Sequence, residues 1–199
     1  MTFKSSSWYL QERNLYPWMH FTELFSKEQC EEITRLGKNL ALTEGVVGTG
    51  DQDFGTNYSL RSARVGWFDS ADDSANWIYR HLTEAVNRAN SDFWKFNVEY
   101  LEGLQFTAYN KPGDHQDTHM DTGWIGEHYR KLTVIIQLTD PETYEGADLE
   151  LQLAHDYTPM TRAQGSMIVF PSFILHRVKP LISGERHSLV SWVCGTPFK

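Results

Sequence analysis

Four residues in the second half of this 199-residue chain combine into one chemistry: His119 and Asp121, then His176, then Arg186. A strand turns successive side chains to opposite faces, so His119 and Asp121, with Met120 between them, project together from one strand. His176 follows after 54 intervening residues, and an antiparallel or barrel-like fold is what returns such a segment beside the first. Two imidazoles and a carboxylate make a facial ligand set. They hold Fe(II) and leave positions open for oxygen and a bidentate organic ligand, which a closed four-ligand zinc site does not allow.

Arg186 supplies the second half of that chemistry. Residues 184–193 read as a strand whose even-numbered face carries Arg186, Ser188, Val190 and Trp192. A guanidinium among apolar partners demands an anion, and it binds a carboxylate through two parallel hydrogen bonds. Arg186 with the Ser188 hydroxyl therefore suits a dicarboxylic co-substrate. Plainer readings compete. His-x-Asp alone is a weak signal in a chain with eight histidines, His176 reads equally as a core histidine bonded to backbone, and Arg186 as the partner of one of the chain's own acids. A zinc-binding helix through His115 and His119 is disfavoured, because Pro112 and Gly113 stand just before it and no acidic residue takes the hydrolytic position.

The elements that must position these residues are mostly strands. Residues 98–109 alternate imperfectly and deliver Gln105, Thr107 and Tyr109 to one face, ending in the turn at residues 111–114. Thr133, Ile135 and Gln137 alternate with Val134, Ile136 and Leu138 as in a strand buried on both faces; Leu149, Leu151 and Leu153 mark another. Residues 61–68 resemble a strand whose Arg64 and aromatic side chains line an approach to the pocket, although a half-buried strand with snorkelling arginines reads as well. Ser26 starts a capping box for a helix with Cys30, Ile33, Leu36 and Leu40 on one face. A second helix starts at Asp72 or Ser74, carries Trp77, Ile78, His81, Leu82, Ala85 and Val86, and ends near Asn90. Residues 45–55, rich in Gly, Asp and Thr, are expected to form a mobile loop, a connector or a lid. Short strands separated by turns predict a mainly β fold with flanking helices (α+β), a jelly roll. One domain spans residues 1–199, with helical support and a substrate rim in 1–100 and a metal-binding core in 101–195.

Residues 104–193 resemble the prolyl-hydroxylase-like branch of the Fe(II)/2-oxoglutarate-dependent oxygenases. The matching pieces are residues 109–113 leading into His119-Met-Asp121, then 130–139, 144–149, 165–171 and 176–192. The resemblance implies a double-stranded β-helix, the cupin-like jelly roll, whose mouth holds iron through His119, Asp121 and His176. It implies that Arg186 binds the distal carboxylate of 2-oxoglutarate and that Tyr109 contacts the co-substrate. Gln137 falls at another such contact, and Trp192 matches an aromatic beside the metal pocket, where Gln105 and Arg64 are also expected. The implied reaction takes 2-oxoglutarate and O2, hydroxylates a substrate C–H bond and releases succinate and carbon dioxide, with ascorbate as a candidate reductant. The implied substrate is a prolyl residue of a protein or peptide. A free amino acid, another small metabolite, and a noncatalytic metal-containing jelly-roll binding module are the alternatives. The chain departs from the family at Gly146-Ala147-Asp148, where relatives commonly carry two glycines followed by Glu or Thr.

Composition narrows the partners. The 26 acidic against 18 basic residues give a net charge of −8, which argues against nonspecific binding to nucleic acid or to anionic membranes. Cys30 and Cys194 form no metal or disulfide pattern and suit a reducing cytoplasm. The first residues lack the apolar core of a signal peptide, and no stretch approaches the ~20 apolar residues of a spanning helix. Oligomeric state is not encoded in any of these features.

Overall fold

The computed structural model describes residues 16–45, 47–49, 52–55, 57–71 and 73–197. Two antiparallel sheets face each other. The larger has nine strands, in the order Met19–Phe21, Met167–Pro171, His128–Gln137, Arg186–Gly195, Leu104–Tyr109, Arg64–Phe68 and Thr43–Glu44, with Trp124–Ile125 beside His128–Gln137 and Tyr100–Leu101 beside Arg186–Gly195. The smaller runs Asp156–Pro159, Leu149–Leu153, His176–Val178, His115–His119 and Arg61–Ser62. Strands far apart in sequence are thus neighbours, as a jelly roll requires.

Alternation along the large sheet divides two cores. Leu104, Phe106, Leu132, Val134, Ile136 and Leu189 pack against the helices with Phe25, Ile33, Ile78, Leu82 and Val86. Tyr109, Ile135, Ile168 and Phe170 turn the other way, into the space between the sheets, and meet Leu149, Leu151 and Val178 of the small sheet. The strand His128–Gln137 is buried on both faces from Lys131 onward, which explains its unbroken apolar run. Gln105, Thr107 and Tyr109 share the inward face, as their spacing predicts.

Helix α1 (Lys27–Lys38) begins at the predicted capping box: Gln29 N donates to Ser26 Oγ, and the Gln29 side chain accepts from Ser26 N. Helix α2 (Asn76–Ala89) starts after Ala75, later than the expected Ser74, and the alternative start Asp72 lies outside the described residues. It runs into a π-helical turn, Asn90–Trp94.

Three expectations are revised. Residues 167–178, which read in sequence as one apolar stretch containing His176, are two strands in different sheets, Met167–Pro171 and His176–Val178, with residues 172–175 crossing between them. Residues 61–68 likewise change sheet at Ala63. Residues 47–49 and 52–55 form a two-stranded ladder rather than a loop, while 46, 50, 51 and 56 lie outside the described residues, as does the N-terminal stretch 1–15. The described residues of 16–100 supply strands to both sheets beside the two helices. No helix among the described residues is long and apolar enough to cross a membrane.

Candidate metal and co-substrate site

His119 ends its strand and His176 begins the neighbouring one; the two are directly opposed in register, with ring centroids 4.1 Å apart. Asp121 lies just past the strand end instead of within it. It is held there because Asp121 N and Thr122 N both donate to the Ser172 carbonyl at 3.0 Å. The ligand atoms of His119, Asp121 and His176 all fall within 4.8 Å of one another.

Each imidazole is oriented for a cation. His119 Nδ1 lies 2.8 Å from the Asp117 carbonyl and His176 Nδ1 lies 3.0 Å from the Ile174 carbonyl. A carbonyl only accepts, so Nδ1 carries the hydrogen in both rings and Nε2 keeps its lone pair. Those Nε2 atoms stand 3.4 and 3.3 Å from the two Asp121 oxygens. Thr133 Oγ1 donates to Asp121 Oδ2 at 2.8 Å, fixing the carboxylate from behind.

Electrostatics match this arrangement. Burial disfavours the Asp121 carboxylate, but the neighbouring His176, then His119, outweigh it and hold the carboxyl well below the usual range. Burial likewise disfavours a charged His176, and Asp121 overcomes it and pushes the imidazole up. A carboxylate beside two lone-pair nitrogens, open on one side, fits a divalent ion such as Fe(II).

Arg186 sits between the sheets at 1% exposure. Its Nη2 donates to Gln137 Oε1 at 2.9 Å, and its guanidinium carbon lies 5.2 Å from the Tyr109 ring. Nε and Nη1 are buried with no hydrogen-bond partner among the described residues, and no acid of the described residues pairs with them. Such donors fit the planar carboxylate of a dicarboxylic acid. Gln137 is locked for this task, its own Nε2 donating to the Thr161 carbonyl at 3.0 Å. Ser188 is buried on the same face, in register with Gln137 and Thr107.

Trp192 is buried and pairs in register with Thr133, the residue that holds Asp121. Arg130 lies over its ring at 4.1 Å and makes a two-pronged ion pair with Glu102, at 2.6 and 2.7 Å, while Trp67 packs against it at 6.1 Å. Gln105 is buried and donates to Thr107 Oγ1 at 2.9 Å. Arg64 is not in the pocket: it turns to the helix side and donates to the Leu42 carbonyl at 2.7 Å. Arg61, on the small-sheet part of that segment, is its arginine within electrostatic reach of Tyr109 and Asp121.

Sequence reading missed three members of the site, and bulges account for two. His176 pairs with His119 and Val178 with Gln116, so one extra residue on the ligand-bearing strand brings Gln116 to the face of His119. A second irregularity, between Arg130 and Leu132, turns Arg130 inward. Arg61 was visible as a residue but not as the inward one. A separate cleft of about 680 Å³ between α1 and residues 138–143 gathers no metal-ligating cluster among the described residues.

No family model matches the chain. Over 179 residues it is 36% identical to a PKHD-type hydroxylase of Synechococcus sp. (strain CC9311), covering 86% of this chain and 75% of that protein. A hydroxylase of the same type from Prochlorococcus marinus (strain NATL2A) is 32% identical, over 47% of this chain and 42% of its own length. The fold superposes on the viral collagen prolyl hydroxylase from Paramecium Bursaria Chlorella virus-1 in its 2OG complex, with a TM-score of 0.68 and 16% identity over 91% of this chain and 97% of that one. The prolyl hydroxylase from Trichoplax adhaerens, in complex with a hypoxia inducible factor oxygen degradation domain peptide fragment, gives 0.72 and 14%, covering 89% and 83%.

Proposed function

The chain belongs to the PKHD-type hydroxylase family, and from that premise we propose that it is an Fe(II)- and 2-oxoglutarate-dependent dioxygenase that hydroxylates a prolyl residue of a protein or peptide. One pairing carries the reading: the chain holds both a His–Asp–His cluster whose ligand atoms lie within 4.8 Å of one another and a buried guanidinium whose Nε and Nη1 have no hydrogen-bond partner among the described residues. A noncatalytic binding module would need the first and not the second.

In this reading His119 and His176 Nε2 and the Asp121 carboxylate hold the metal. Arg186, steadied by Gln137, pairs with the distal carboxylate of 2-oxoglutarate, with Tyr109 and Ser188 beside it. When bound, iron with 2-oxoglutarate and O2 supplies the oxidising chemistry, in which one oxygen atom enters the substrate C–H bond and the other enters succinate as carbon dioxide leaves. The protein's part is orientation and exclusion of water. The apolar residues between the sheets dry the slot, and Trp192, clamped by Arg130 and Trp67, forms the wall that the substrate passes.

The peptide substrate is supported by the Trichoplax neighbour, whose solved partner is a peptide fragment. A reducing cytoplasm suits Cys30 and Cys194, both buried and unpaired, and ascorbate would serve to keep the iron reduced. The test is succinate formation by purified protein given Fe(II), ascorbate and 2-oxoglutarate under air, followed by mass spectrometry of proline-rich peptides and free amino acids. Asp121→Ala is expected to abolish succinate formation; equal formation by that variant refutes the metal site. Oxygen added to an amino acid and to no peptide would move the substrate to the small-molecule class.

A further inference from the structure

One hydrogen bond in the site competes with the metal. His119 Nδ1 carries the ring hydrogen, so Nε2 has the lone pair that a metal must use. Gln116 Nε2 stands 2.9 Å from that nitrogen, and an amide N–H can only donate to it. A lone pair cannot accept a proton donor and coordinate a cation at the same time. Gln116 reaches it because of the bulge in its strand, which sets Gln116 opposite Val178 on one side and Arg61 on the other.

We propose that Gln116 is a metal-displaced positioning residue: its carboxamide holds the His119 imidazole until the metal binds, and the metal then takes its place at His119 Nε2. The proposal rests on the metal-centre reading above. Displacement has a cost, because the metal must break an existing bond before it gains His119.

The test is a titration of metal-free protein with Mn(II), wild type against Gln116→Leu, without co-substrate. Leucine has similar bulk and brings no ligand atom. Removing one neutral competing hydrogen bond is expected to tighten Mn(II) binding about 2- to 10-fold; unchanged or weaker binding overturns the proposal. A second measurement needs no variant. Zn(II) is expected to shift the side-chain amide resonance of Gln116, assigned by triple-resonance NMR in the wild type, and a resonance that does not move overturns the proposal equally. A wild type that takes up neither metal defeats the metal-centre reading and this proposal together, whereas metal uptake indifferent to Gln116 defeats this proposal alone.

Discussion

Replacing Arg186 with Met separates its role in binding from its role in folding. Arg186 is 1% exposed, and among the described residues its guanidinium makes one hydrogen bond, from Nη2 to Gln137 Oε1 at 2.9 Å. Nε and Nη1 remain for a ligand carboxylate. Charge-assisted bonds contribute about 1.5–3 kcal/mol each, and unpairing a desolvated charge costs about 2–5 kcal/mol, so Arg186→Met is expected to weaken 2-oxoglutarate by about 3–4 kcal/mol, roughly 10²–10³-fold. The ligand-free protein should respond in the opposite sense. A buried cation without a carboxylate partner destabilises the fold, and an apolar side chain of similar length removes that penalty, at about 1–3 kcal/mol for leaving Gln137 Oε1 unbonded. The variant is therefore expected to melt no lower than wild type without ligand, and to lose the rise in melting temperature that saturating 2-oxoglutarate gives the wild type. Isothermal titration of 2-oxoglutarate with Mn(II) in place of iron, and thermal unfolding with and without ligand, measure both effects. Affinity within about threefold of wild type would refute the assignment of Arg186 as the anchor, because no other mechanism of retention fits a lost bidentate pair.

Two further outcomes follow from contacts behind the site. Thr133→Val removes the 2.8 Å bond to Asp121 Oδ2 while keeping shape, and is expected to lower metal affinity about 10-fold in a Mn(II) titration; unchanged affinity would mean that Thr133 does not orient the carboxylate. His187 is buried and stacked on Phe106 at 5.4 Å, and burial, then the charge of Lys38, pushes its pKa down to about 4 from an ordinary 6.5. The unfolded chain then binds the extra proton between these values, so the stability linked to His187 is complete above about pH 6.5 and is lost as pH falls toward about 4, amounting to about 3 kcal/mol. His187→Phe is expected to flatten this part of the pH–stability curve in denaturant melts, and an unchanged slope would refute the linkage.

The residue types of the site were legible because they are rare and chemically specific. His119, Asp121, His176 and Arg186 announce a ligand set and an anion anchor wherever the chain takes them. The period of two placed Gln105, Thr107 and Tyr109 on one face of their strand, and Arg186 and Ser188 on one face of theirs, and the uninterrupted ladder between the two strands makes these the same inward face. Ser26 and Gln29 fixed the start of α1 through a bond between near neighbours.

Tertiary structure decided what depends on distant pairing. Alternation assigns a face only while strands stay in step, and one extra residue beside His119, or at Lys131, reverses it; thus Gln116 and Arg130 enter the site. Residues 61–68 pass from the small sheet to the large one at Ala63, which leaves Arg61 within electrostatic reach of Asp121 while Arg64 bonds the Leu42 carbonyl. Asp121 owes its position to the Ser172 carbonyl, 51 residues away in the chain, and the unpaired nitrogens of Arg186 exist only because two sheets close over them. Local sequence sets which groups a strand offers; the closure of the roll sets which of them meet.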